Sequence, residues 1–87
     1  MWVKSVQLEQ SIEEKVLGKH GVDKEEMEAA LLRDRPKYFK VKGGRYLALA
    51  QSNRYLSIIF RYTQGRANVI TAYPSSDWQV KLYKEKK

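Results

Sequence analysis

Residues 38–73, "YFKVKGGRYLALAQSNRYLSIIFRYTQGRANVITAY", decide the fold. Apolar and polar side chains alternate with a period of two, and glycine, serine and asparagine interrupt them at short intervals. "YFKVK" reads as a strand, and Gly43-Gly44 as a two-residue hairpin turn supplying positive φ. "RYLALAQ" is its partner, and Ser52-Asn53 makes the next turn. "YLSIIFRY" is the most β-rich stretch, which places it centrally, and "TQG" turns the chain into the last strand, "RANVITAY". Four strands joined by short turns form an antiparallel meander.

Outward from this block the period changes. Upstream, "WVKSVQL" (residues 2–8) alternates like an edge strand. "SIEE" offers a capping box between Ser11 and Glu14. Ile12, Val16 and Leu17 then make one apolar stripe, with Gly21 as a left-handed stop. "VDKEEM" repeats the device: Asp23 caps, Glu26 closes the box, and Val22 and Met27 form a hydrophobic staple. Met27, Ala30 and Leu31 carry that helix inward until Arg35-Pro36 ends it. Downstream, Ser75 or Ser76 caps a final helix bearing Trp78 and Leu82, and residues 84–87 read as a frayed, solvated tail. The whole is one α+β domain over residues 1–87: an N-terminal strand and two helices, a four-stranded antiparallel meander, and a C-terminal helix. Helices should cover one sheet face and leave the other partly open.

Cysteine is absent, so disulfides, thiol nucleophiles and sulfur-ligated metals are excluded, and a reducing cytoplasm is the expected location. No apolar run is long enough to suggest a membrane span, and no secretory h-region opens the chain. The net charge of +7 is unevenly divided. Residues 1–36 carry six Lys/Arg against eight Asp/Glu, whereas residues 37–87 carry eleven against two, Asp77 and Glu85. Uncompensated positive charge on the meander points to a polyanionic partner, with nucleic acid the commonest.

The inventory excludes several chemistries. There is one histidine, no Walker loop and no GxGxxG fingerprint, so neither metal nor cofactor is expected. His20, ending the first helix in "GKHGV", suits the helix dipole better than a ligand or base role. No histidine lies in the basic half to activate a serine. The meander instead interleaves Arg45, Arg54, Arg61 and Arg66, with Lys40 and Lys42, among Tyr38, Tyr46, Tyr55, Tyr62, Tyr73 and Tyr83. Strand parity groups Leu56, Ile58, Phe60 and Tyr62 as the core face, which leaves Arg61 on the open one. Parity likewise puts Tyr38, Lys40 and Lys42 on one face, expected to be the open one with Arg61, opposite Phe39 and Val41. A cationic, tyrosine-lined face suits RNA, with guanidinium groups on phosphates and rings stacked on splayed bases. Tyrosine is also favoured in strands for packing alone.

In "KVLGKHGVDKEEMEAALL", "GGRYLALAQ" and "ANVITAYPSSDWQVKLY" the chain resembles the BrnT-like branch of the RelE/ParE toxin superfamily. The match runs through Lys15, Lys19 to Val22, Arg45, Gly65-Arg66, Val69 to Ala72 and Tyr83, over about residues 12 to 84. The pattern departs at Asn68 and Tyr73, where the branch carries arginine.

The resemblance implies a RelE-like fold and a metal-independent endoribonuclease. The ribose 2′-hydroxyl attacks the adjacent phosphorus and leaves a cyclic phosphate and a free 5′-hydroxyl. The partners implied are RNA and a cognate antitoxin, through which operator DNA is contacted. Arg45, Arg61 and Arg66 are the expected phosphate-binding and stabilising groups. Tyr73 and Tyr83 would supply proton transfer or stacking, with a tyrosine pKa lowered by neighbouring guanidinium groups. Lys40, Lys42, Arg54, Lys81 and Lys84 would widen the RNA surface. A glutamate–histidine acid–base pair is not expected, since the basic half holds no histidine and only two acids. The alternative is a catalytically degenerate RelE-like module that binds nucleic acid or a protein.

Overall fold

The computed structural model describes residues 3–33 and 35–85. In chain order these form β1 (Ser5–Gln7), α1 (Gln10–His20) and α2 (Lys24–Glu28), which continues as a π-helical turn (Ala29–Arg33). Then come β2 (Lys37–Val41), β3 (Arg45–Gln51), β4 (Tyr55–Thr63), β5 (Arg66–Pro74) and α3 (Asp77–Lys84). The order matches the strand, two helices, meander and terminal helix expected. The strands form one five-stranded sheet in the order β1-β5-β4-β3-β2, so "YLSIIFRY" is central. The meander is antiparallel throughout, and β1 adds to its edge in parallel with β5. Trp2 and the end of the tail, residues 86 and 87, lie outside the described residues.

The local signals hold in part. Gly21 takes the left-handed conformation at φ 67°, and its amide closes α1 on the Leu17 carbonyl. Asp23 Oδ1 accepts from the Glu26 amide at 2.8 Å, while Val22 and Met27 are fully buried. Three expectations need correction. Glu9, not Ser11, is the N-cap of α1. Glu26 turns its carboxylate to Arg54 instead of back to its own cap. The β2–β3 loop holds three residues, because Val41 pairs with Arg45.

The sheet has two different faces. Phe60, Ile58, Leu56, Ala48, Ala50, Val69 and Ala72 pack with Val16, Val22, Met27, Ala30 and Leu31 of the first two helices. This is the main core. Tyr38 and Tyr46 lie on the same side, with ring centroids 6.0 and 5.9 Å from that of Phe60. The expected placement of Tyr38 and Lys40 beside Arg61 is therefore wrong: burial of the Tyr38 ring against Phe60 sets the parity of β2, and Lys40 follows it. On the opposite face α3 covers only part of the sheet, over Leu49 and Ser57, which are 1% and 0% exposed. Lys37 ties the end of α3 down, donating to the Leu82 carbonyl at 3.1 Å and to that of Glu85. The remainder of this face stays open. No helix among the described residues is long and apolar enough to cross a membrane.

Candidate nucleic-acid interface

The open part of the second face is organised as a row across the strands. Tyr46 pairs with Phe60. Carrying that register one residue further sets Arg45 of β3 beside Arg61 of β4. Arg61 pairs with Asn68 of β5, and Asn68 with Gln7 of β1. The row thus reads Arg45, Arg61, Asn68, Gln7, with all four side chains on one face by strand alternation. Arg66 pairs with Thr63, so it is a diagonal neighbour of Arg61 on that face, roughly 7–8 Å away.

Two carbonyls of the β2–β3 loop orient the row. Arg61 Nη1 donates to Gly43 O at 2.7 Å, and Arg45 Nε to Lys42 O at 2.9 Å. Gly43 and Gly44 both have positive φ, 78° and 71°, the curvature that turns this loop. A guanidinium has five N–H donors, so both side chains keep most of theirs for a ligand. Among the described residues Arg45, Arg61 and Arg66 make no ion pair. Three cations on one face, none of them ion-paired among the described residues, are an arrangement able to take an anion.

The other candidates lie elsewhere. Tyr73 pairs with Ser57, four residues before Arg61 on β4 and so roughly 13 Å along the strand. Its hydroxyl accepts from Gln79 Nε2 at 3.2 Å, and Gln79 Oε1 accepts from the amide and hydroxyl of Ser76. Tyr83 packs against Tyr55, with centroids 5.8 Å apart, and Lys84 Nζ lies 5.5 Å above the Tyr55 ring. Lys81 is on α3 as well. Neither Tyr73 nor Tyr83 reaches the arginine row. The rings and the guanidinium groups that composition mixes together are thus sorted into separate zones.

Arg54 has another task. It grips both oxygens of Glu26, at 2.7 and 3.0 Å, and donates to Gly21 O at 2.7 Å. This clamps the β3–β4 turn to the α1–α2 junction, and the hydrogen bond to Glu26 pushes the guanidinium pKa further up. It lies at the far end of β4 from Arg61.

Two groups of the acidic half also come close: His20, expected to act only on the helix dipole, and Glu9, which strand parity and charge gave no reason to single out. His20 reaches the ring of Tyr73, with centroids 6.0 Å apart and tilted by 51°. Glu9 lines a cleft of about 400 Å³ together with Gln7, Ile12, Arg61, Asn68 and Ile70. The cleft opens where β1 runs into α1. A β-bulge in β5 shapes its wall, since Ile59 pairs with Thr71 and Phe60 with Val69, leaving Ile70 as the extra residue. Its position beside Asn68 could be foreseen only by knowing that β1 pairs in parallel with β5.

The chain matches no protein-family model and no curated protein. Its fold is similar to that of the Brucella abortus ribonuclease toxin BrnT, known from a 1.1 Å crystal structure. The TM-score is 0.70 over 86% of this chain and 100% of that one, at 21% sequence identity. The fold expected from the BrnT-like resemblance is the fold found.

Proposed function

We propose that this protein is a toxin-type endoribonuclease, which cuts RNA without a metal and is held in check by an antitoxin protein. The observation carrying this reading is the row of Arg45 and Arg61, with Arg66 diagonal to it, unpaired on an open sheet face of a ribonuclease-toxin fold. The ribose 2′-oxygen attacks the adjacent phosphorus as the bond to the 5′-oxygen breaks. The products are a 2′,3′-cyclic phosphate and a 5′-hydroxyl. Negative charge grows on the non-bridging oxygens, and preorganised guanidinium groups answer it with charge-assisted, forked hydrogen bonds. The 2′-proton leaves to solvent and the departing 5′-oxygen takes a proton from solvent, because Tyr73 and Tyr83 are too distant to exchange either. Those rings, with Lys81 and Lys84, suit the flanking nucleotides. The antitoxin neutralises the row with carboxylates and makes the operator contacts of the pair.

A second reading rests on a specific residue. Asn68 stands in the row, opposite Arg61, where the BrnT-like pattern carries arginine. One guanidinium fewer favours binding without turnover. Incubation with RNA in EDTA, followed by analysis of the ends, separates the two. Cleavage should give cyclic-phosphate ends, and Arg45→Ala or Arg61→Ala should slow it about a hundredfold or more. Intact RNA that binds and releases with salt establishes the binding module instead.

A further inference from the structure

The cleft beside Arg61 has the construction of a small-molecule site. Ile12 and Ile70 supply apolar walls, while Gln7, Glu9 and Asn68 supply polar groups, the usual mixture of apolar lining with a few orienting donors and acceptors. None of those three polar side chains has a hydrogen bond or ion pair among the described residues. Glu9 makes no side-chain cap to α1, although its carbonyl accepts from the Glu13 amide at 2.8 Å. The backbone that carries the carboxylate is therefore held, and the carboxylate itself is unengaged. Gln7 and Asn68 are fixed side by side by the β1–β5 pairing. Arg61, which lines the same cleft, joins it to the guanidinium row.

We infer that this cleft is a nucleobase subsite selective for guanine, with Glu9 reading the base and Arg61 holding the attached phosphate. The inference rests on the anion-binding role proposed for the row. Apolar walls accept any base face, so the polar groups decide. A carboxylate presents two acceptors side by side. The guanine Watson–Crick edge answers with two adjacent donors, N1–H and the N2 amino group. Adenine and cytosine offer one amino group beside an acceptor nitrogen, which repels the second carboxylate oxygen. Uracil offers one N–H between two carbonyls. The amides of Gln7 and Asn68 can donate to guanine O6 or N7.

Calorimetric titration of the intact protein with 3′-GMP, 3′-AMP, 3′-CMP, 3′-UMP and inorganic phosphate at low salt tests it. 3′-GMP should bind about tenfold tighter than the other three nucleotides. Glu9→Gln, which keeps shape and removes the charge, should abolish that preference while 3′-AMP and phosphate still bind. Arg61→Ala should weaken all ligands together. Equal binding of the four nucleotides overturns the subsite while leaving the arginine row intact. A guanine preference that survives in Glu9→Gln also overturns it. So does Glu9→Gln slowing cleavage equally at every sequence, which gives Glu9 the proton-transfer role instead. Failure of phosphate and every nucleotide to bind removes the row and the subsite together.

Discussion

Single residues show how far tertiary contact redirects a side chain. Arg54 belongs to the same basic inventory as Arg61, but both of its forked contacts are inside the protein. It is 41% exposed, so the ion pair alone is worth little and the clamp as a whole about 1 kcal/mol. Arg54→Ala should lower the melting temperature by roughly 4–8 °C and leave RNA affinity unchanged, checked by thermal denaturation and titration. Tyr38 is a second case. Burial, and then the neighbouring Tyr62, raise its pKa above the ordinary tyrosine value. The fold therefore favours the neutral phenol. Its contribution is complete below the unfolded pKa of about 10 and is lost as pH climbs through the raised value. Urea denaturation of Tyr38→Phe should show a shallower loss of stability in alkali than the parent protein.

Elements carry the next level of control. The β4–β5 turn places Gln64 at φ 49° and Gly65 at 83°, the two positive values of a type I′ hairpin. Gly65 suits its position, since an added Cβ would meet Lys4 Cδ at 3.2 Å. Gln64 does not, because a left-handed non-glycine residue is strained unless it is asparagine or aspartate. Gln64→Asn should stabilise the domain by about 0.5 kcal/mol, and Gln64→Val should destabilise it by about 1 kcal/mol. Chemical denaturation reads both, and an opposite order would contradict the turn assignment. The same hairpin presents Arg61 and Arg66 on one face, so its register sets the site.

Across the whole molecule, only part of the positive charge of the meander is available to a polyanion. Arg54 is clamped, Lys40 lies on the Phe60 side, and Lys37 holds the end of α3. The row with Arg66 leaves three arginines for phosphate. For single-stranded RNA these three contribute about −2 to the log–log salt slope, which falls in magnitude by about 0.7 in each single Arg→Ala variant of the three. Lys40→Ala and Arg54→Ala should leave the slope unchanged, and a slope tracking total charge would refute the division of faces. Periodicity and turn residues by themselves determined the element order, the meander and the central place of β4, because these depend on neighbours within a few positions. They also placed Arg61 opposite the core, since parity is a local property once Phe60 is inside. Tertiary structure alone decided the rest. Burial around Phe60 claimed Tyr38, Tyr46 and Tyr62, and α3 claimed Tyr55, Tyr73 and Tyr83. Parallel pairing of β1 with β5 brought Gln7 and Glu9 from the acidic half to the arginine row. Contacts between residues some sixty positions apart leave no trace in local spacing, and those contacts build the cleft.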